Sequence, residues 1–112
     1  MEFVMRSVGG ARTLVLDSIG MAHVRAILSL GGHDEPVPIE MRRFEGGEGG
    51  FADVAECRAI VRILGGDRGS EFVWAYREMV GAGLGSTMMT DVRVMAEFVE
   101  ACIADGGLIV GG

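Results

Sequence analysis

The hydrophobic pattern of the chain changes its period near the middle, and this change constrains the fold more than any other feature. Up to residue 45, apolar and polar residues alternate at a period of about 2, as in half-buried strands. From residue 51 onward, apolar residues recur about every 3.6 residues, as on helices. The intervening segment, residues 46–50, reads GGEGG and is typical of a flexible joint. Strands followed by helices predict an α+β fold, with an N-terminal antiparallel sheet of about four strands packed by three C-terminal helices.

The first two strands are predicted as a β-hairpin over residues 2–18, turning at Gly9-Gly10. A two-residue turn of this kind needs positive φ, which glycine adopts readily. In the register set by this turn, one face carries four apolar residues, namely Phe3, Met5, Leu14 and Leu16. The opposite face carries Val4 beside Val15 and Arg6 beside Thr13.

Residues 21–30 fit either a strand or a helix, and we expect a strand. The strand is favoured because residues 31–36 can form a hairpin loop leading to a returning strand at 37–45, with Pro36 and Pro38 at its entry. A helix here would be capped by Ser18 and would bury a stripe of apolar residues, namely Ile19, Ala26, Ile27 and Leu30. In that case the element order becomes ββαβααα.

The second half predicts three helices within residues 51–105 and a short strand at 108–110. Asp53 with Glu56 matches a capping box and begins the first helix, while Ser70 and Thr90 are expected to cap the second and third. Glycine pairs at 65–66 and 106–107 serve as helix stops. We expect residues 1–112 to fold as one domain, because neither half has enough residues for a good core alone.

The residue types missing from the chain exclude several functions. There is no Lys, Asn or Gln, and all 10 basic residues are Arg, against 16 carboxylates for a net charge of −6. Without Lys, a Walker A phosphate site, a protein kinase and Schiff-base catalysis are excluded. The negative charge argues against direct nucleic-acid binding and favours basic partners. This usage is typical of a GC-rich genome, of a bacterium or one of its phages.

The mean hydropathy of +0.36 is high for a small domain, so we expect a partner to cover part of the surface. Self-association as a homodimer is the simplest form of such a partner. We find no signal peptide and no transmembrane segment in the sequence, and we therefore expect a cytoplasmic protein that does not bind a membrane.

Three motifs invite site assignments that their context does not support, so we predict no cofactor, no metal and no catalytic residue. GAGLGS at residues 81–86 follows a helix and lacks the spacing of a dinucleotide-binding loop. His33-Asp34-Glu35 is expected at an exposed loop tip without further metal ligands. Cys57 and Cys102 fall in helical patterns, where buried free thiols are expected.

The candidate partner-binding residues are apolar and acidic side chains of the second half. Trp74 lies off the apolar stripe of its helix, near Glu71 and Glu78, as an interface anchor would. Met88 and Met89 form a pair of flexible apolar side chains, which can serve as an adaptable binding face. Residues 94–112 carry three carboxylates and no Arg, which predicts an acidic surface. The candidate set is therefore Trp74, Met88, Met89, Glu97, Glu100 and Asp105. Acidic residues of 34–48 would extend the patch if the two regions meet on the surface.

These observations support three hypotheses of function. The first is a small acidic, non-enzymatic protein-binding module, for instance a phage- or bacterium-encoded inhibitor that enters the basic groove of a nucleic-acid-handling complex. Small anti-CRISPR proteins are similar in size and charge alone, since no motif is shared. The second is a homodimeric small enzyme or ligand-binding domain with a cavity between sheet and helices near His23. The third is a structural subunit that oligomerises.

Overall fold

The computed structural model describes residues 2–46, 49–80 and 85–111, with side chains from residue 87 onward in the last range. These residues confirm an α+β fold with a four-stranded antiparallel sheet, but they contain four α-helices rather than three. In chain order the elements are β1 (Glu2–Ser7), β2 (Thr13–Asp17), α1 (Ser18–Gly31), β3 (Gly50–Ala52), α2 (Val54–Leu64), α3 (Gly66–Val80), α4 (Gly85–Ile103) and β4 (Leu108–Val110).

The predicted hairpin is confirmed in its register as well as its existence. Phe3 faces Leu16 and Met5 faces Leu14 across β1 and β2. Gly10 adopts φ +83° and donates its amide hydrogen to the Ser7 carbonyl at 2.9 Å, which closes the turn. The hydrophobic alternation thus fixes which face of the hairpin is buried.

Residues 21–30 form most of α1, so the predicted strand is wrong and the helical alternative is correct. The residues buried along α1 recur at helical spacing and include Gly20, Met21, Val24, Ile27, Leu28 and Gly31. The cap is Asp17, the last residue of β2, rather than Ser18; its carboxylate accepts a hydrogen bond from the Gly20 amide at 2.7 Å. Ile19, placed on the buried stripe by sequence, is exposed.

The predicted strand at 37–45 is also wrong, because α1 leaves it without a strand to pair with. The segment instead contains a short 3-10 helix, Met41–Phe44, and another, Gly32–Asp34, follows α1. Phe44 is buried, and its carbonyl accepts a hydrogen bond from Arg25 Nη1 at 2.6 Å. The buried Phe44 side chain and the hydrogen bond from Arg25 therefore fix this segment in place, rather than hydrogen bonds between strands.

The sheet is completed by two short strands from the second half of the chain. β3 begins at Gly50, inside the predicted joint, of which residues 47 and 48 lie outside the described residues. The predicted strand at 108–110 is confirmed as β4, which pairs with β1 on one side and β3 on the other. The strand order is β2-β1-β4-β3, with every neighbouring pair antiparallel.

The predicted start of the first C-terminal helix is confirmed, and the other two are corrected. Asp53 caps α2 by accepting the Glu56 amide at 2.9 Å, and Gly65 ends it. α3 begins directly at Gly66, whose φ of +59° lets the chain reverse at once, so Ser70 lies inside the helix. α4 begins at Gly85, so Thr90 is interior too; the apolar spacing runs back through Met88, which is buried.

The helices cover one face of the sheet and enclose the core. α4 packs against α1 and α2, and both α1 and α4 contact β1. The buried core draws on every helix and includes Phe3, Met5, Met21, Ile27, Phe44, Ile60, Ile63, Val73, Met95, Val99 and Leu108. None of the helices in the described part of the chain is long and apolar enough to cross a membrane.

Candidate protein-binding surface

A cleft of about 380 Å³ lies between α4 and the junction of α2 with α3. It exists because Gly65 alone separates α2 from α3, so the start of α3 stands directly across from α4. Apolar residues of α2 and α4 contribute to the lining, namely Val61, Leu64, Met89, Val92 and Ala96. The polar lining residues are Asp67, Ser70, Arg93, Glu97 and Glu100.

The rim of this cleft is acidic. Glu97 and Glu100 stand on the exposed side of α4, and Asp67 in the first turn of α3 faces them. Among the described residues that line the cleft, Arg93 is the one cation. Within the described chain, no ion pair neutralises any of these three carboxylates. The cleft therefore offers an apolar floor beneath a rim of net negative charge.

Trp74 lies on the same side of α3 as Asp67, about 10 Å further along the helix, since residues seven apart share a helical face. Its side chain is 58% exposed, and the Arg77 guanidinium stacks over the indole ring at 4.9 Å from the centroid. Glu71, also exposed, lies on this face between Asp67 and Trp74. We call the side chains of Asp67, Glu71, Glu97 and Glu100, together with Trp74, the acidic face.

The two methionines of the predicted site differ in access. Met88 is fully buried and belongs to the core, where a partner does not reach it in this conformation. Met89 is half-buried and lines the cleft. Of the six residues predicted as a binding site, the cleft thus gathers Met89, Glu97 and Glu100.

Asp105 lies away from the cleft, at the junction of α4 with the β1–β2 turn. Its carboxylate accepts hydrogen bonds from Ser7 Oγ at 2.5 Å and from the Ala11 amide at 3.1 Å. The Ser7 hydrogen bond, followed by that of Ala11, holds the pKa of Asp105 below its usual range. This carboxylate binds the hairpin turn.

The place of Asp67 in the cleft and the partner of His23 were not predicted from the sequence. Asp67 was missed because the helix was expected to start at Ser70, although an acidic residue directly after a Gly pair is a signal of a helical first turn. His23 is 4% exposed, and its Nδ1 lies 2.7 Å from Asp91 Oδ2, which ties α1 to α4. Among the described residues, His23 does not line the cleft on α4.

Two further carboxylates are bound by arginines rather than solvated. Glu35, expected in an exposed loop, has a buried side chain that accepts Arg62 at 2.8 Å and Arg68 at 3.2 Å. Glu56 pairs with the buried Arg43 beside a second cleft of about 560 Å³, which the glycine-rich segment lines in part. The cleft on α4 does not include any acidic residue of 34–48, so the two acidic regions do not meet there.

The cysteines and the described acidic residues and histidines do not assemble a metal site. Across residues 2–46, 49–80 and 85–111, no three His, Cys, Asp or Glu side chains are grouped to hold a metal ion. Cys57 and Cys102 are buried free thiols, and burial raises the pKa of each to about 11. Of the GAGLGS motif, residues 81–84 and the side chains of 85 and 86 lie outside the described residues.

Comparison with known proteins gives no relative for this chain. No family model, no curated protein and no solved structure matches it. The acidic face is therefore the feature of the molecule from which its function is inferred.

Proposed function

We propose that the protein is a non-enzymatic binding module that engages a basic protein partner through the acidic face. The observation that supports this proposal most is the cleft between α3 and α4, in which carboxylates that form no ion pair with any described residue surround an apolar floor. A net charge of −6 favours the approach of a positively charged partner over long distances.

The chemistry of the cleft suits an arginine-rich segment. A guanidinium can donate hydrogen bonds to one or two carboxylate oxygens at the rim while its aliphatic stem covers the apolar floor. Trp74 adds a flat aromatic surface for a further arginine, and it already holds one, Arg77, in this way. Exposed aromatic anchors of this type often dominate binding energy.

A partner with a basic groove that normally holds nucleic acid would meet these requirements. In that case the acidic face competes with phosphates for the same arginines, and the protein acts as an inhibitor of a nucleic-acid-handling complex. Such a complex works inside the cell, so a cytoplasmic location is part of the proposal.

The proposal is tested by titrating the protein with an oligo-arginine peptide and following the fluorescence of Trp74, the only tryptophan. We expect saturable binding at low salt that weakens as salt rises, because the attraction is screened. An oligo-glutamate peptide of equal length should leave the fluorescence unchanged.

Two double variants with the same change in net charge distinguish binding at the acidic face from a general effect of charge. The double variant Glu97→Arg/Glu100→Arg is compared with Asp34→Arg/Glu45→Arg, two exposed acids outside the cleft. We expect the first pair to weaken binding at least about tenfold more than the second. Equal loss in both, or no binding by the parent protein, would show that the acidic face is not a binding site.

We do not extend the proposal to catalysis at the His23–Asp91 pair. A carboxylate on Nδ1 would orient an imidazole for acid–base chemistry. However, the ring of His23 is almost completely buried. Neither the cleft on α4 nor the one beside Arg43 gives a substrate access to it. The contact is explained by the packing of α1 on α4.

A further inference from the structure

The outer face of the sheet carries apolar side chains that none of the described helices covers. Val4 on β1 and Val15 on β2 are directly opposite each other and are 52% and 49% exposed. Phe51 on β3, beside Ile109 on β4, is 55% exposed. The side chains on a solvated sheet face are normally polar. An apolar cluster is therefore unusual on a face in contact with water.

Charges of opposite sign flank the Val4–Val15 pair along β1, while Ile109 and Phe51 lie level with Arg6. Glu2 and Arg6 are both exposed and stand two residues before and after Val4, on the same face of the sheet. They are four residues apart on an extended strand, about 13 Å, which is too far for them to pair with each other. Neither takes part in an ion pair among the described residues.

This arrangement is complementary to itself under a two-fold rotation. An axis that lies in the interface plane, runs perpendicular to β1 and passes beside Val4 reverses the direction of the strand in a second copy. It then places Val4 against the partner's Val4, Glu2 against the partner's Arg6, and Arg6 against the partner's Glu2. An axis parallel to β1 would instead place like charges against each other, which is unfavourable.

We infer that two copies of this chain pack face to face through the outer side of the sheet, with strands antiparallel across the interface. Aligned packing of this kind is a standard arrangement of two sheets, about 10 Å apart. The inference is independent of the acidic face, because α3 and α4 lie on the opposite side of the sheet from this patch.

The patch is small for a protein interface. Strands of three to six residues give a contact smaller than the standard interface, which buries about 800 Å² per partner. Interfaces of this size class are typical of reversible association, so we expect a monomer at high dilution.

Sedimentation velocity over a range from micromolar to millimolar protein measures this equilibrium. The parent protein is expected to shift from monomer to dimer as concentration rises. Val4→Lys, which places two like charges at the two-fold axis, should abolish the dimer. Since Val4 is exposed, the Val4→Lys variant should keep the parent fold. Comparison of the circular dichroism spectra of the two proteins checks this.

Charge reversal tests the proposed geometry. Glu2→Arg alone and Arg6→Glu alone should each weaken dimerisation at least about tenfold, because each replaces attractive pairs with repulsive ones. The double swap Glu2→Arg/Arg6→Glu should restore it. Glu97→Arg, on the opposite side of the molecule, is the control and should leave it unchanged. A parent monomer at every concentration, or a double swap that fails to restore the dimer, would overturn the inference.

Discussion

Single polar residues join parts of the molecule that are distant in sequence. Asp105 holds the β1–β2 turn to the end of α4 through Ser7 and Ala11. Glu35 holds the segment after α1 to α2 and α3 through Arg62 and Arg68. Because these carboxylates are already bound within the chain, they are poor candidates for contact with a partner, unlike Glu97 and Glu100.

Asp105 gives stability that depends on pH. Its hydrogen bond from Ser7, then that from Ala11, lowers its pKa in the folded protein below the ordinary 3.8. The contribution is therefore complete above pH 3.8 and is lost as the pH falls through the lower folded pKa. Asp105→Asn should be less stable than the parent at neutral pH in urea denaturation, and the two should converge in acid. A gap that stays constant with pH would contradict this role.

The thiols of Cys57 and Cys102 should be inert in the folded protein. Burial raises the pKa of each from 9.0 to about 11, so both remain protonated at neutral pH. A disulfide-exchange reagent such as Ellman's reagent should react with neither thiol in native buffer and with both in urea. Rapid reaction of either thiol in native buffer would contradict the assigned burial.

The same thiols predict a loss of stability in alkali. The unfolded chain releases these protons near pH 9.0 and the folded chain only near 11, so rising pH favours the unfolded state across this interval. The parent's urea midpoint should therefore fall between these pH values. The urea midpoint of the double variant Cys57→Ala/Cys102→Ala should be lower than the parent's at pH 9.0, because the substitutions leave cavities. It should decrease less than the parent's as the pH rises.

Two helices begin in the same way, with an aspartate at the junction between a strand and the helix that follows it. Asp17 ends β2 and caps α1, and Asp53 follows β3 and caps α2. The second cap could be predicted because Glu56 completes a recognisable capping box. The first could not, because residues 21–30 contain alternating as well as helical apolar spacing, and only the packing of Met21, Val24 and Leu28 into the core decides between them.

Removal of the cap on α2 should destabilise the fold without changing it. Asp53→Ala deletes the acceptor of the Glu56 amide and is expected to cost about 1 kcal/mol in the free energy of unfolding. Asp34→Ala, in an exposed 3-10 turn, is the matched control and should stay within about 0.5 kcal/mol of the parent. Equal effects in urea denaturation would show that Asp53 does not act as a cap.

The first turn of α3 packs too closely against the end of α2 to accept a side chain at Gly69. A Cβ there would overlap the Leu64 carbonyl oxygen, a backbone atom that cannot move without disturbing the end of α2. Gly69→Ala should therefore cost about 1–3 kcal/mol in unfolding free energy. Gly32→Ala, where a Cβ meets no atom within 4 Å and φ is −71°, should be neutral or slightly stabilising. A stable Gly69→Ala protein would contradict this close packing.

At the scale of the whole molecule, the sheet joins segments from both ends of the described chain, since β4 pairs with β1 in the centre of the sheet. The hairpin register and the α+β class could be predicted because they follow from local alternation and from the order of the elements. The position of β3 could not, because the three residues Gly50–Ala52 carry too short a pattern to distinguish a strand from a loop.

Part of the candidate site could be predicted from local sequence patterns as well. Helical spacing alone placed Glu97 and Glu100 on an exposed side of α4 and Trp74 off the apolar stripe of α3. Helical spacing could not show that Asp67 faces Glu97 and Glu100, because that depends on the reversal of the chain at Gly66. Nor could it separate Met88, which lies in the core, from Met89, which lines the cleft.

The proposed function is tested most directly by NMR chemical-shift mapping of the ¹⁵N-labelled protein titrated with the oligo-arginine peptide. Binding to the acidic face predicts that the largest shifts fall on the Trp74 indole and on the amides of Asp67, Glu97 and Glu100. The amides of Val4 and Val15, on the outer face of the sheet, should stay unchanged. Shifts concentrated on the sheet, around His23, or spread evenly over all exposed carboxylates would contradict it.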